Sequence, residues 1–107
     1  MKICYIIRMD TVLAFLLTLN CIPTAWVIPS NATFFLDNVV YVRPDMMRAG
    51  VLVHELYHSC QYNKSGGGAK DWSEWRLREA EAVRTEMLFH DNYDEWRIKV
   101  RYSYETY

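Results

Sequence analysis

Five consecutive residues near the middle of the chain, His54-Glu55-Leu56-Tyr57-His58, carry the side chains that are best suited to chemistry. On a helix, residues i and i+4 project from the same face, so both imidazoles can reach one tetrahedral metal ion. Glu55 points to the side of that face, where a carboxylate can hold water instead of metal. Two histidines spaced in this way around a glutamate are typical of a catalytic zinc site. We therefore predict that His54 and His58 bind Zn²⁺ and that Glu55 is the catalytic residue.

The residues around this motif predict the elements that must position it. No Gly or Pro interrupts residues 51–62, and four positions in this stretch carry Val or Leu, which indicates a partly buried helix. Upstream, residues 33–36 and 39–42 are both β-prone. The two residues between them, Asp37 and Asn38, tolerate positive φ angles, so we expect a β-hairpin before the metal-site helix.

Two further helices and a loop are predicted from composition and end signals. The apolar residues between positions 9 and 20 favour an N-terminal helix that is buried on most sides. The segment NKSGGGAK, residues 63–70, predicts a flexible loop because three consecutive glycines do not hold regular structure. Asp71 followed by Glu74 resembles a capping box, and no Gly or Pro occurs through His90, so a second long helix is expected there.

The C-terminal tail, residues 97–104, alternates in a period of two and predicts a strand. We favour pairing of this strand within the domain's own sheet over pairing with another chain. The expected fold class is α+β, with the order N-terminal helix, β-hairpin, metal-site helix, glutamate-bearing helix and C-terminal strand.

Length and composition restrict the chain to one domain over residues 1–107, because 107 residues build a single modest core. The net charge of −1 gives no electrostatic support for nucleic acid binding. We also expect no membrane span, since the apolar run of residues 12–19 is too short to cross a bilayer. Any substrate groove in so small a domain is expected to be shallow.

The cysteines and the N-terminal segment bear on the cellular compartment. Cys4, Cys21 and Cys60 are odd in number and lack Cys-x-x-Cys spacing, which argues against a disulfide framework and against a thiolate metal site. The apolar run at 12–19 is similar to a secretory signal, but Asp10 lies next to it and no Ala-x-Ala cleavage site follows. The sequence therefore favours a cytoplasmic or virion-associated protein over a secreted one.

A catalytic zinc site normally takes three protein ligands, so the motif needs a third. There is no third histidine at a suitable distance after His58, which favours a carboxylate on the second helix. Glu79, Glu81 and Glu86 are the candidates. Helical periodicity alone does not choose between Glu79 and Glu81, because both could face the core.

The stretches VLVHELYHSCQY and REAEAVRTE resemble small bacterial and phage gluzincin-type zinc metallopeptidases. In that family the active helix reads HExxHxxQ, and the next helix supplies a glutamate followed by alanine. The resemblance implies a minimal zincin-like core, with His54, His58 and Glu81 as the metal ligands. Glu79 is also followed by alanine, so the third ligand stays open between Glu81 and Glu79.

The function expected from these residues is zinc-dependent hydrolysis of a peptide bond. Glu55 would act as the general base on the water that zinc activates and would pass the proton to the leaving amine. Gln61 lies one turn past His58 and is available to bond a ligand or the substrate. Tyr41 and Val42 are candidates for an edge strand that pairs with an extended peptide.

The alternative function is a zinc-stabilised structural or interaction protein, for example a component of a phage particle, with little or no catalytic activity. An amphipathic strand at the tail, residues 97–107, would then provide the contact with a protein partner or with a virion. The expected partners are thus a peptide or protein substrate in the first case and another protein chain in the second.

Overall fold

The structure is a computed structural model that describes residues 3–8, 10–93 and 101–106, and the side chains of residues 11–93. It is a small α+β domain, as the sequence predicts. The elements run in the order β1 (Ile3–Arg8), α1 (Asp10–Thr18), β2 (Trp26–Pro29), β3 (Phe34–Leu36), β4 (Val39–Val42), a short 3₁₀ turn (Pro44–Met46), α2 (Ala49–Ser65), α3 (Trp72–Asn92) and β5 (Arg101–Thr106).

The predicted hairpin is formed by β3 and β4. Asp37 and Asn38 join the two strands with φ angles of 50° and 58°, which gives the twist that a two-residue hairpin loop requires. A third strand, β2, pairs in parallel with the other edge of β4, so the strand order is β2-β4-β3. Neither β2 nor β1 was expected, because both are short apolar segments without a clear periodic pattern.

The N-terminal helix α1 is confirmed, but it is buried on one face only. Val12, Phe15 and Leu16 lie in the core, whereas Leu13 and Leu17 are 42% and 58% exposed. The domain is too small to cover α1 on several sides, so this helix keeps an apolar outer face. The core itself lies between α1, β4, α2 and α3, and its largest fully buried side chain is Phe89.

The two long helices pack against each other in opposite directions. Side-chain contacts link residue 54 to residue 86, and residue 58 to residue 79, so the order reverses from one helix to the other. Helix α2 ends where Gly66 adopts a left-handed conformation with φ of 78°, which a residue with a Cβ rarely does. Helix α3 begins with the expected cap, in which the Asp71 carboxylate accepts a hydrogen bond of 2.8 Å from the Glu74 amide.

A disulfide joins Cys21 to Cys60, with 5.6 Å between the Cα atoms. The argument against disulfides from the odd number of cysteines was wrong, because parity says nothing about which two thiols the fold brings together. Cys21 follows α1, and Cys60 lies on α2 next to the predicted metal-binding turn. The bridge therefore fastens the segment after α1 to the helix that carries both histidines.

Ser59 reinforces this attachment from inside the core. Its fully buried Oγ accepts hydrogen bonds from the amides of Thr24 and Ala25, at 3.0 and 3.1 Å, and donates to Asn38 Oδ1 at 2.6 Å. One hydroxyl thus links α2 to the strand entering the sheet and to the hairpin turn. Because a buried hydroxyl needs partners, these bonds restrict how α2 can rotate against the sheet.

The tail forms β5, which pairs in antiparallel register with β1, from Ile3 opposite Thr106 to Arg8 opposite Arg101. Pairing within the chain is therefore confirmed for residues 101–106. The predicted strand positions 97–100 lie outside the described residues. Among the helices that the structure describes, none combines the length and apolar character needed to cross a membrane.

Removing the disulfide is expected to destabilise the protein. The bridge closes a loop of 39 residues, and the chain-entropy model assigns about 3 to 4 kcal/mol to a loop of this size. We expect the variant with both Cys21→Ala and Cys60→Ala to lose about this much free energy of unfolding in urea titrations. Reductant should destabilise the unaltered protein similarly and leave the double variant unchanged. Equal urea midpoints for the unaltered protein with and without reductant would contradict the contribution of the bridge.

Candidate metal centre

Two histidines of α2 and one glutamate of α3 converge on one point. His54, His58 and Glu79 each offer one ligand atom, and these three atoms lie within 4.8 Å of one another. His58 Nε2 lies 3.2 Å from Glu79 Oε2, and His54 Nε2 contacts the other oxygen of the same carboxylate. The group is therefore close enough to bind a metal ion.

The local sequence explains why both rings face α3. Histidines at i and i+4 lie one above the other on a helix, and here the ring centroids are 5.1 Å apart in an edge-to-face arrangement. Leu52, Val53 and Leu56 bury the adjoining face of α2 in the core, which leaves the histidine face for the neighbouring helix. Each imidazole is only about one-eighth exposed, with values of 13% and 12%.

A second layer of hydrogen bonds orients each imidazole. His54 Nδ1 lies 2.9 Å from Glu86 Oε1, and His58 Nδ1 donates to Gln61 Oε1 at 2.7 Å. Gln61 in turn donates from Nε2 to the backbone oxygen of Arg78 at 2.9 Å, which determines that its oxygen faces His58. With Nδ1 engaged in this way, the Nε2 atom of each ring is directed at Glu79. Such outer partners are typical of histidines that bind metal.

The charges at the centre differ between the two histidines. Burial lowers the pKa of His54, but its hydrogen bond to Glu86 and the negative charge of Glu79 outweigh this effect and raise the pKa to about 9. Burial also lowers the pKa of His58, and there the lowering prevails. Near neutral pH, His54 therefore favours its protonated form, whereas His58 favours the neutral ring. A metal ion that binds here must displace a proton from His54.

Glu55 lies beside the centre without belonging to the three-residue group. The pKa of its carboxyl is raised to about 7, mainly by burial; the charge of His54 opposes this shift, and the carboxylates Glu79 and Glu86 add to it. A divalent cation close by would lower this pKa again. Glu55 also lines the cleft that His58 and Glu79 line, so its side chain is accessible to a bound molecule.

The third group member is Glu79, and Glu81 is not brought to the histidines. Two residues along a helix turn the side chain by about 200°, so the two glutamates occupy different faces of α3. Glu81 is exposed and accepts a hydrogen bond from the Tyr57 hydroxyl. Glu86, seven residues after Glu79, returns to the same face and supports His54 instead. The sequence left Glu79 and Glu81 open, and the resemblance favoured Glu81. The fold instead places Glu79 next to the two histidines.

A cleft of about 650 Å³ opens over this centre. Its lining residues come from the hairpin, the two long helices and the loop between them: Thr33, Phe34, Phe35, Leu36, Asp37, Glu55, His58, Tyr62, Gly68, Ala69, Trp75, Arg78 and Glu79. The expectation that Tyr41 and Val42 form an edge strand was wrong, because β4 is paired on both sides. Among the strands that the structure describes, the edge strand at this cleft is β3.

The glycine-containing loop is tied to α3 by Arg78, which sequence reasoning did not single out. Its guanidinium donates to the Gly67 oxygen at 3.0 Å and to Ser65 Oγ and Glu74 Oε1, both at 2.6 Å.

Trp75 was also missed by sequence reasoning, since an exposed tryptophan on a helix has no motif of its own. Tyr93 packs against Phe89 of the core.

Comparison with protein-family models, with curated proteins and with solved structures found no match for this chain. The resemblance to gluzincin-type peptidases therefore stays a prediction. The chemical interpretation of the centre depends on its own geometry, namely two imidazoles, one carboxylate and a further carboxylate at the edge of the group.

Replacing Glu79 is expected to weaken metal binding more than replacing Glu81. Glu79→Gln exchanges a charged oxygen ligand for a neutral amide, so we expect a loss of affinity for Zn²⁺ of more than about 100-fold, beyond the usual effect of an outer partner. Glu81→Gln is the matched control, since it makes the same chemical change two residues away. Competition titration with a chromophoric chelator measures both constants. Equal affinities of the two variants would contradict the assignment of Glu79.

The role of Gln61 can be separated from its contribution to packing. Gln61→Met removes the acceptor of the His58 Nδ1 proton, and we expect an affinity for Zn²⁺ about 10- to 100-fold lower. Gln61→Glu keeps an acceptor at this position but loses the donor to the Arg78 oxygen, so it should retain most of the affinity. The same titration applies, with thermal unfolding to verify the fold. An equal loss in both variants would show that orientation of His58 is not the role of Gln61.

Proposed function

We propose that this protein is a zinc-dependent peptidase in which Glu55 is the general base. The single observation that carries the proposal is the convergence of His54, His58 and Glu79 next to a cleft that is lined by His58, Glu79 and Glu55. Two imidazoles and one carboxylate are a donor set of catalytic zinc sites, which keep a fourth position for water or substrate. A purely structural zinc site would use a fourth protein ligand and would have no need of a neighbouring base.

The donor set supports zinc as the resident metal. Imidazole nitrogens together with a single carboxylate suit zinc better than calcium or magnesium, which prefer oxygen ligands only. Glu86 and Gln61 hold the Nδ1 sides of the two histidines, so both Nε2 atoms are presented to one ion. The ion, when bound, supplies a Lewis acid that acidifies water and polarises the scissile carbonyl.

The chain's own residues then provide proton transfer and orientation. Glu55 takes a proton from the attacking water and delivers it to the leaving amine, because a carboxylate beside the centre can accept a proton and return it. Glu79 and the two histidines keep their positions through the contacts between α2 and α3. The edge strand β3 orients the substrate, since its outer backbone groups can pair with an extended peptide in the cleft.

The Cys21–Cys60 disulfide favours a protein that acts in an oxidising compartment or on the surface of a virus particle rather than in a reducing cytoplasm. This preference is opposite to the one drawn from the number of cysteines. The covalent bridge also suits a small peptidase that is exposed to other proteases, because it limits local unfolding around α2.

The test is Glu55→Gln, measured for zinc content and for cleavage of a peptide library. We expect about one zinc per chain in the variant and in the unaltered protein, with cleavage reduced about 10²- to 10⁴-fold in the variant. Glu81→Gln, which alters an exposed carboxylate on the neighbouring helix, should cleave normally. Equal cleavage by the Glu55 variant and the unaltered protein would remove Glu55 from the mechanism. Zinc binding without any cleavage by the unaltered protein would favour the alternative of a zinc-stabilised structural or interaction protein.

A further inference from the structure

Three large apolar side chains that line the cleft remain substantially exposed. Phe34, Leu36 and Trp75 show 40%, 54% and 46% of their surface to solvent. Apolar surface exposed to water is unfavourable, so covering these side chains with an apolar group would be favourable. Their presence beside the metal centre indicates what kind of molecule the cleft accommodates.

The pattern of β3 places two of these side chains on the same face. Side chains alternate along a strand, and the exposure of β3 alternates in step, with Phe34 and Leu36 exposed and Phe35 half-buried between them. Phe35 turns towards α2, where its ring centroid lies 5.7 Å from that of His58. Phe34 stacks on Tyr41, its partner in the hairpin, with 4.6 Å between centroids. The exposed face of β3 is therefore held in a definite position.

Helix α3 forms one wall of the cleft, and Trp75 is part of this wall. Trp75 stacks on Trp72 with centroids 4.8 Å apart and an interplanar angle of 11°, within the first turns of the helix. Arg78, on the same wall, is already engaged with Glu74 and with the loop. The wall thus presents an aromatic ring that is fixed in advance, which lowers the entropic cost of binding.

The charges in the cleft also favour an apolar ligand side chain over an acidic one. Asp37, Glu55 and Glu79 contribute carboxylates to its lining, and the Arg78 guanidinium is paired with Glu74. An acidic ligand side chain would therefore meet like charges, whereas an apolar one would cover the exposed surface.

We infer that the cleft binds an extended peptide that carries large apolar side chains at two alternate positions. A peptide strand paired with the free edge of β3 would repeat in steps of two, which matches the spacing of Phe34 and Leu36. The apolar side chains at alternate positions then lie beside Phe34 and Leu36, on the face of β3 opposite Phe35. This inference names the substrate class of the proposed peptidase and rests on that proposal for the cleavage step, although peptide binding can be measured without it.

Binding and cleavage are measured separately with short synthetic peptides. One series carries Phe and Leu at two alternate positions, and a second series carries Ser and Thr there. Titration calorimetry with zinc-loaded Glu55→Gln protein measures binding, and the unaltered protein measures cleavage. We expect the apolar series to bind and to be cleaved at least about tenfold better, the usual discrimination of an apolar pocket.

The variants Leu36→Thr and Trp26→Thr form a matched pair. Leu36 and Trp26 both pair with Val39, from opposite sides of β4, and both are exposed, but only Leu36 lines the cleft. We expect Leu36→Thr to lower kcat/KM for the apolar series about tenfold, mainly through KM, while Trp26→Thr stays within about twofold. Leu36→Met, which restores an apolar side chain of similar volume, should recover most of the loss.

The outcomes distinguish this inference from the proposed function. Equal binding of both peptide series, or equal effects of Leu36→Thr and Trp26→Thr, would overturn the inference. Preferential binding of an oligosaccharide, with sugar rings stacked on Trp75, would also overturn it. Selective binding of apolar peptides without cleavage would uphold the inference and refute the peptidase activity. Cleavage that does not discriminate between the two series would refute the inference alone.

Discussion

Two nearly buried imidazoles of α2 meet the Glu79 carboxylate where α2 packs against α3, and buried polar groups of this kind need polar partners. Glu79 meets the Nε2 atoms, while Glu86 and Gln61 take the Nδ1 atoms. An unpaired polar group at such a position would cost on the order of 1–3 kcal/mol. The same contacts therefore hold the two helices together and aim the metal-binding atoms, so the site and the helix packing cannot be altered independently.

The rest of the fold keeps the histidine helix at a definite rotation. Apolar residues of α2 bind it to the core, the Cys21–Cys60 bridge fastens it to the segment after α1, and the Ser59 hydroxyl ties it to the segment before β2 and to the hairpin turn. A chain of 107 residues has a limited core, so covalent and polar links carry a large share of the positioning. The hairpin that α2 supports also supplies the edge strand of the cleft, which brings β3 close to His58.

Local sequence signals predicted several elements correctly, because each depends on neighbours in the chain. The Asp37-Asn38 turn requires positive φ angles that these residues tolerate, and the α3 cap needs only the Asp71 carboxylate and the Glu74 amide. The helical pairing of His54 with His58 follows in the same way from the period of the helix. Strands β1 and β2 escaped prediction, since β2 is stabilised by pairing with β4 and β1 by pairing with β5, both of which are distant in sequence.

The amino-acid sequence by itself determined the chemical groups of the candidate site: two imidazoles one turn apart, a carboxylate beside them and further carboxylates on a later helix. Only the tertiary structure decided that Glu79 completes the group while Glu81 binds Tyr57, because the rotation of α3 against α2 depends on which of its residues enter the core. It also decided that Cys21 and Cys60 meet and that β3 forms the edge of the cleft. Each of these depends on contacts between residues far apart in sequence, which no local pattern records.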